Sequence, residues 1–180
     1  MSIKLVMFAG SRACDQATQH AMISLGKQIN IKKYEIWYGG GDAGLMGVLP
    51  KSFHENGGKV SSVDWSHFYN KFGIPEWMSE DQIEVKETFP SRQVGLLEKG
   101  DKFICLPGGV GTLSELLDVI TFNSVKYFDK KPIIIYNYNG YYDHLRMLLD
   151  NMIKEGYIND YEHLNVNFVS TTEEILSLIE

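Results

Sequence analysis

Apolar and polar positions alternate in blocks along this chain. Ile3 to Phe8 is an apolar run that stops at the small, polar turn Ala9-Gly10-Ser11-Arg12, and a helical pattern covers about Asp15 to Ile29. Tyr34 to Tyr38 repeats the strand and leads into the glycine-rich stretch Gly39 to Gly47, with a helix to about Asn56. Lys59 to Val63 reads as a third strand after Gly57-Gly58, Gln82 to Glu87 as a fourth, Ser91 to Lys99 as a helix and Lys102 to Leu106 as a fifth strand. A long helix opens at Thr112. Pro132 to Tyr136, a helix over about Tyr142 to Glu155, a weak strand at Val166 to Val169 and a last helix from Thr171 complete the pattern.

Strands that alternate with helices imply one α/β domain over residues 1–180, a doubly wound parallel sheet with helices on both faces. The glycine loops after the first, second and fifth strands then open at one carboxyl edge, where such sheets bind ligands. Asp64 to Asp81 is the least regular stretch, an excursion toward that edge whose aromatics, Trp65, His67, Phe68, Tyr69 and Trp77, are expected to pack rather than touch ligand.

The loop after the fifth strand carries the chemistry. In Phe103 to Glu115 a buried strand meets Pro107-Gly-Gly-Val-Gly111 and then a helix start at Thr112. Gly108, Gly109 and Gly111 let a ligand approach the backbone, and the unpaired amides of the first turn, with the positive end of the helix dipole, suit a phosphate. The Gly-Lys-Ser/Thr ending of a triphosphate loop is missing, so a monophosphate fits better. Thr112-x-x-Glu115 also matches a capping box. Leu113, Leu116, Leu117 and Ile120, however, form the expected buried stripe, which turns Glu115, Asp118 and Phe122 onto another face, where a carboxylate can meet the sugar of a nucleotide.

Composition narrows the reading. At 180 residues and 44% hydrophobic the chain supports a sizeable core, and no apolar run reaches the roughly 20 residues of a membrane span. Met1 to Gly10 reads as a strand and not as a signal peptide, so the expected location is cytoplasmic. A net charge of -6 argues against nucleic-acid polymers and anionic membranes as partners. The three arginines are Arg12, Arg92 and Arg146, and the first two fall within motifs. Cys14 and Cys105 form no disulfide framework, and the five histidines lack ligand spacing, so neither a metal nor a cofactor is expected. One competitor stands: Gly39-x-Gly41-x-x-Gly44, with Asp64 about twenty residues on, matches a dinucleotide fingerprint, although it follows the second strand instead of the first.

Taken together, Tyr38-Gly-Gly-Gly41, Gly44-Leu-Met-Gly47, Pro107-Gly-Gly-Val-Gly-Thr-Leu-Ser-Glu115 and Gly140-Tyr-Tyr-Asp143 resemble the Lonely Guy family, cytokinin riboside 5'-monophosphate phosphoribohydrolases often labelled lysine decarboxylases. The resemblance implies a Rossmann-like fold, a homodimer and hydrolysis of the bond between a base and ribose 5'-phosphate. It assigns Gly108, Gly109, Val110, Gly111 and Thr112 to the phosphate, Glu115 to catalysis and Arg92 to the arginine of a Met-x-x-Arg-Lys motif. Gly10, Ser11, Arg12, Gly40, Gly41 and Thr121 are further candidate substrate contacts. The chain departs from the family at Phe89 and Gln93, which stand for the methionine and lysine, and at Thr121-Phe-Asn-Ser124 in place of Thr-Trp-x-Gln. The phosphate and sugar end is thus kept, and the identity of the base is left open. A non-catalytic nucleotide sensor or carrier of the same fold is the alternative.

Overall fold

The computed structural model describes residues 2–180. The chain runs β1 (Ile3–Phe8), α1 (Gln16–Gln28), β2 (Tyr34–Tyr38), α2 (Gly44–Glu55), β3 (Lys59–Trp65), α3 (Ser66–Phe72), β4 (Ile83–Lys86), α4 (Phe89–Lys99), β5 (Lys102–Cys105), α5 (Val110–Ser124), β6 (Ile133–Tyr136), α6 (Asp143–Lys154), α7 (Tyr161–Leu164), β7 (Val166–Val169) and α8 (Thr172–Ile179). The seven strands form one parallel sheet in the order β4-β3-β2-β1-β5-β6-β7. The order reverses between β1 and β5, and there the loops after those two strands diverge to opposite faces and leave a crevice.

Alternation along β1 shows how both faces are covered. Leu5 and Met7 join a core with Met22, Leu25, Leu49 and Phe53 of α1 and α2. Val6 and Phe8 join another with Leu96, Leu97, Leu116 and Val119 of α4 and α5. A strand buried on both faces reads as a continuous apolar run, which is why β1 stood out in the sequence.

Several expected boundaries move. β3 continues to Trp65, and the stretch expected to be irregular contains α3. α4 starts at Phe89, two residues early, because Thr88 and Ser91 form a capping box and Pro90 is tolerated in the first turn. α5 starts at Val110 with Gly109 as its cap. Its buried stripe is Thr112, Leu116, Val119, Ile120 and Asn123, so Leu117, expected inside, is 41% exposed. Phe122, expected to be free of the core, packs against it beside Tyr127 and Phe128. No helix among the described residues is long and apolar enough to cross a membrane.

Candidate active site

The loops after β1 and β5 meet at the crevice. Gly10 N donates to Pro107 O at 3.1 Å, and a Cβ on Gly10 would lie 3.0 Å from Gly108 Cα, so a side chain there would press the two loops apart. On the β5 side, Leu113 N donates to Gly109 O and closes the first turn of α5. The amides of Val110, Gly111 and Thr112 precede that bond and have no backbone partner. A Cβ on Gly109 or Gly111 would meet nothing within 4 Å, so the loop is open beside these residues, and all of them line the cavity. Ser11 and Arg12 line the same space, and Arg12 makes no salt bridge among the described residues. Three amides without a backbone partner among the described residues, a helix dipole and a cation thus line one cavity, a setting suited to an anion.

The start of α2 is built differently. Met46 N donates to Gly10 O at 3.1 Å, and a Cβ on Gly44 would lie 2.3 Å from Arg12 O. One amide of that first turn is thus spent on a β1-loop carbonyl and the loop crowds its start, which leaves less room for a phosphate there than at α5.

Glu115 stands one turn into α5. Its carboxylate is paired with Arg92 Nη1, with side chains 12% and 10% exposed. The pairing settles the capping question, since the cap of α5 is Gly109 and the Glu115 side chain reaches across to α4. Arg92 also donates from Nε to Val63 O at 3.1 Å, and a Cβ on Gly39 would fall 1.6 Å from its Nη2. A bare glycine in the β2 loop is therefore what makes room for the guanidinium. Burial pushes the Glu115 carboxyl above the ordinary carboxylate range, and the Arg92 charge pulls it partly back.

The cavity that joins these groups has a volume of about 1240 Å³ and continues across the sheet edge to β3. There Asp64 and Trp65 line it, with Phe68 of α3 and Phe89 of α4. Trp65 packs edge-on against both phenylalanines, with ring centroids 5.1 and 5.7 Å apart. Tyr141 closes the other side, its hydroxyl donating to Gly108 O at 2.6 Å.

Of the residues named from sequence, Gly10, Ser11, Arg12, Gly40, Gly41, Arg92, Gly109, Val110, Gly111, Thr112 and Glu115 line this one cavity. Two do not. Gly108 lies a step behind the loop, where a Cβ would strike Thr112 Oγ1 at 2.2 Å. Thr121 is exposed and donates to Leu117 O at 2.7 Å within its own helix, because two turns of α5 carry it past the cavity. Gln93 also stays outside: its amide donates to Ser114 Oγ at 2.9 Å and holds α4 to α5. Of the aromatics after β3, expected to pack, Trp65 and Phe68 pack against each other and also line the cavity. Sequence reasoning missed Tyr141 and Phe89 as lining residues. An acidic residue ending an apolar strand was the available signal for Asp64.

A family model described as "Possible lysine decarboxylase" matches residues 46–179. A probable cytokinin riboside 5'-monophosphate phosphoribohydrolase of Arabidopsis thaliana is 35% identical, over 98% of this chain and 87% of its own length. A cytokinin riboside 5'-monophosphate phosphoribohydrolase of the same plant is 30% identical over 98% of this chain and 81% of its own. Among solved structures, the molybdenum cofactor carrier protein of Chlamydomonas reinhardtii superposes with a TM-score of 0.71 at 17% identity, over 99% of this chain and 96% of its own. At that identity the likeness is one of fold.

Proposed function

Since the chain belongs to the Lonely Guy family, we propose that it hydrolyses the N-glycosidic bond of a nucleoside 5'-monophosphate, a cytokinin riboside monophosphate or another nucleotide, and releases free base and ribose 5-phosphate. The observation that carries this reading is the placement of the Glu115–Arg92 pair one helical turn from the open amides of Val110, Gly111 and Thr112. Phosphate held at those amides, with Arg12 beside it, anchors the far end of the substrate and brings the sugar over Glu115. Binding energy gained at the phosphate is thereby used to place the reacting carbon.

As the bond to the base breaks, positive charge develops on the sugar, and the Glu115 carboxylate stabilises it and orients the attacking water. The Arg92 charge favours the ionised form of Glu115 against its burial and fixes its direction. The decarboxylase description finds no counterpart in the cavity, because no lysine is among the described residues that line it.

The carrier reading is supported by fold likeness alone. Incubating the protein with a panel of nucleoside monophosphates and measuring released base and ribose 5-phosphate by chromatography separates the two. Binding without cleavage of any nucleotide overturns the hydrolase.

The proposed assembly is a homodimer. Exposed apolar side chains support it, among them Met147 and Leu148 of α6 and Val125 after α5, whereas Phe122 no longer does. Light scattering that finds a fully active monomer removes this part of the proposal. The proposed location is the cytoplasm, where the two free cysteines and a phosphorylated substrate are at home.

A further inference from the structure

One buried ionisable group in the cavity has no part in the chemistry above. Asp64 ends β3, is only 5% exposed, and lines the cavity. Its Oδ1 and the Ser62 Oγ two residues before it are both buried without a hydrogen-bond partner among the described residues. A charged carboxylate oxygen buried without a partner is costly, which favours the neutral, protonated form of this group. The backbone makes way for it: Gly40 has a φ of +80°, and a Cβ there would lie 2.2 Å from Oδ1. Arg92 faces this carboxyl from α4 and Tyr38 from β2. Burial raises its pKa, and the Ser62 hydroxyl and the Arg92 charge offset only part of that rise, so it holds its proton into a higher pH range than an ordinary aspartic acid.

Position decides which part of a substrate it meets. β3 lies three strands from β5, so at about 4.8 Å per strand its end is roughly 14 Å across the sheet edge from the strand that carries the phosphate loop. With phosphate at the start of α5 and the sugar over Glu115, the base is the part of the nucleotide that reaches β3. The aromatic surface of Trp65, Phe68 and Phe89 beside Asp64 suits a stacked base.

We propose that Asp64 is the general acid of the reaction, donating its proton to a ring nitrogen of the departing base. Preferred substrates are then nucleotides whose base carries an acceptor nitrogen beyond the glycosidic one, as purines do and uracil does not. The inference rests on the phosphoribohydrolase reading. In the step, the bond from C1' to the base nitrogen breaks and its electron pair leaves on the base, which takes the Asp64 proton. Water forms the new C1'–O bond and releases a proton to Glu115 or solvent, and solvent reprotonates Asp64. The sum is nucleotide plus water giving base plus ribose 5-phosphate. Glu115 and Asp64 thus divide the work, one paired with Arg92 beneath the sugar and one donating beside the base.

The test compares AMP with 4-nitrophenyl ribofuranoside 5-phosphate, whose leaving group departs as a stable anion and needs no proton. Asp64→Asn, checked for folding by circular dichroism, is expected to lose on the order of a hundredfold in kcat/KM on AMP. Its loss on the nitrophenyl substrate is expected to be at least about thirtyfold smaller than that on AMP. In the wild type, kcat/KM on AMP falls as pH rises through the titration of the acid, and the nitrophenyl profile lacks that limb. Equal losses on both substrates, or none on AMP, overturn the proposal. Where Asp64→Asn fails to fold, the wild-type profiles decide alone, and coincident limbs for the two substrates overturn it. A wild type that cleaves neither substrate removes the hydrolase reading itself, and this inference with it.

Discussion

Replacing Glu115 by Gln keeps the size of the side chain and an oxygen for Arg92, and removes the charge. A carboxylate about 4 Å from a developing unit charge, in surroundings of effective dielectric near 20, contributes on the order of 4 kcal/mol. Losing most of it lowers turnover by roughly a hundredfold or more, about 3 kcal/mol. The structure adds a stability cost, because Arg92 is left with an uncompensated charge at 10% exposure. Breaking a buried pair costs about 3–5 kcal/mol when the partner disappears. With the amide oxygen in place and Arg92 still held by Val63 O, a cost of about 1–3 kcal/mol is expected, a fall in Tm of several degrees. Nucleotide affinity is expected to hold or improve, since a repulsion with the phosphate is relieved. Turnover measured well below the lowered Tm, alongside calorimetric binding of AMP, separates the effects. A variant that melts several degrees lower yet hydrolyses at the normal rate would show that Glu115 serves the fold alone, and the mechanism would be abandoned.

Three further outcomes are expected. AMP is cleaved with a kcat/KM at least about a hundredfold above adenosine, because a nucleoside leaves the open amides of α5 without their anion, and equal values refute the phosphate assignment. Gly111→Ala, in helical backbone with open space beside it, raises stability by about 0.5–1 kcal/mol while its methyl intrudes on the bound phosphate and raises KM; a variant with unchanged KM places the anion elsewhere. Asp64→Asn raises Tm at pH 7 by about 2–4 °C, near 1 kcal/mol. The sign follows from a folded pKa above the unfolded value of 3.8, so that stability falls as pH rises from that value through the folded pKa. The gain therefore shrinks toward pH 4, and a lower Tm at pH 7 refutes the unpaired state of its Oδ1.

The periodicity of the chain was enough to determine a parallel sheet wrapped by helices. Strands buried on both faces, such as β1, are continuous apolar runs, and glycine clusters mark where the backbone must turn sharply. The phosphate loop was legible for the same local reason, since strand, glycine turn and helix start are adjacent in sequence and their free amides follow from helix geometry alone. What escaped the sequence depended on rotation and on distance along the chain. The stripe of α5 could be assigned only once its neighbours were in place, which is why Leu117 and Phe122 exchanged roles and Thr121 dropped out of the site. Arg92 meets Glu115 across 23 positions, and Asp64 lies against Gly40 in the loop after the neighbouring strand. Burial does not belong to a residue type but to everything packed around it. Only the folded chain, therefore, could decide that Glu115 is held by an arginine and that Asp64 Oδ1 is left without a partner among the described residues.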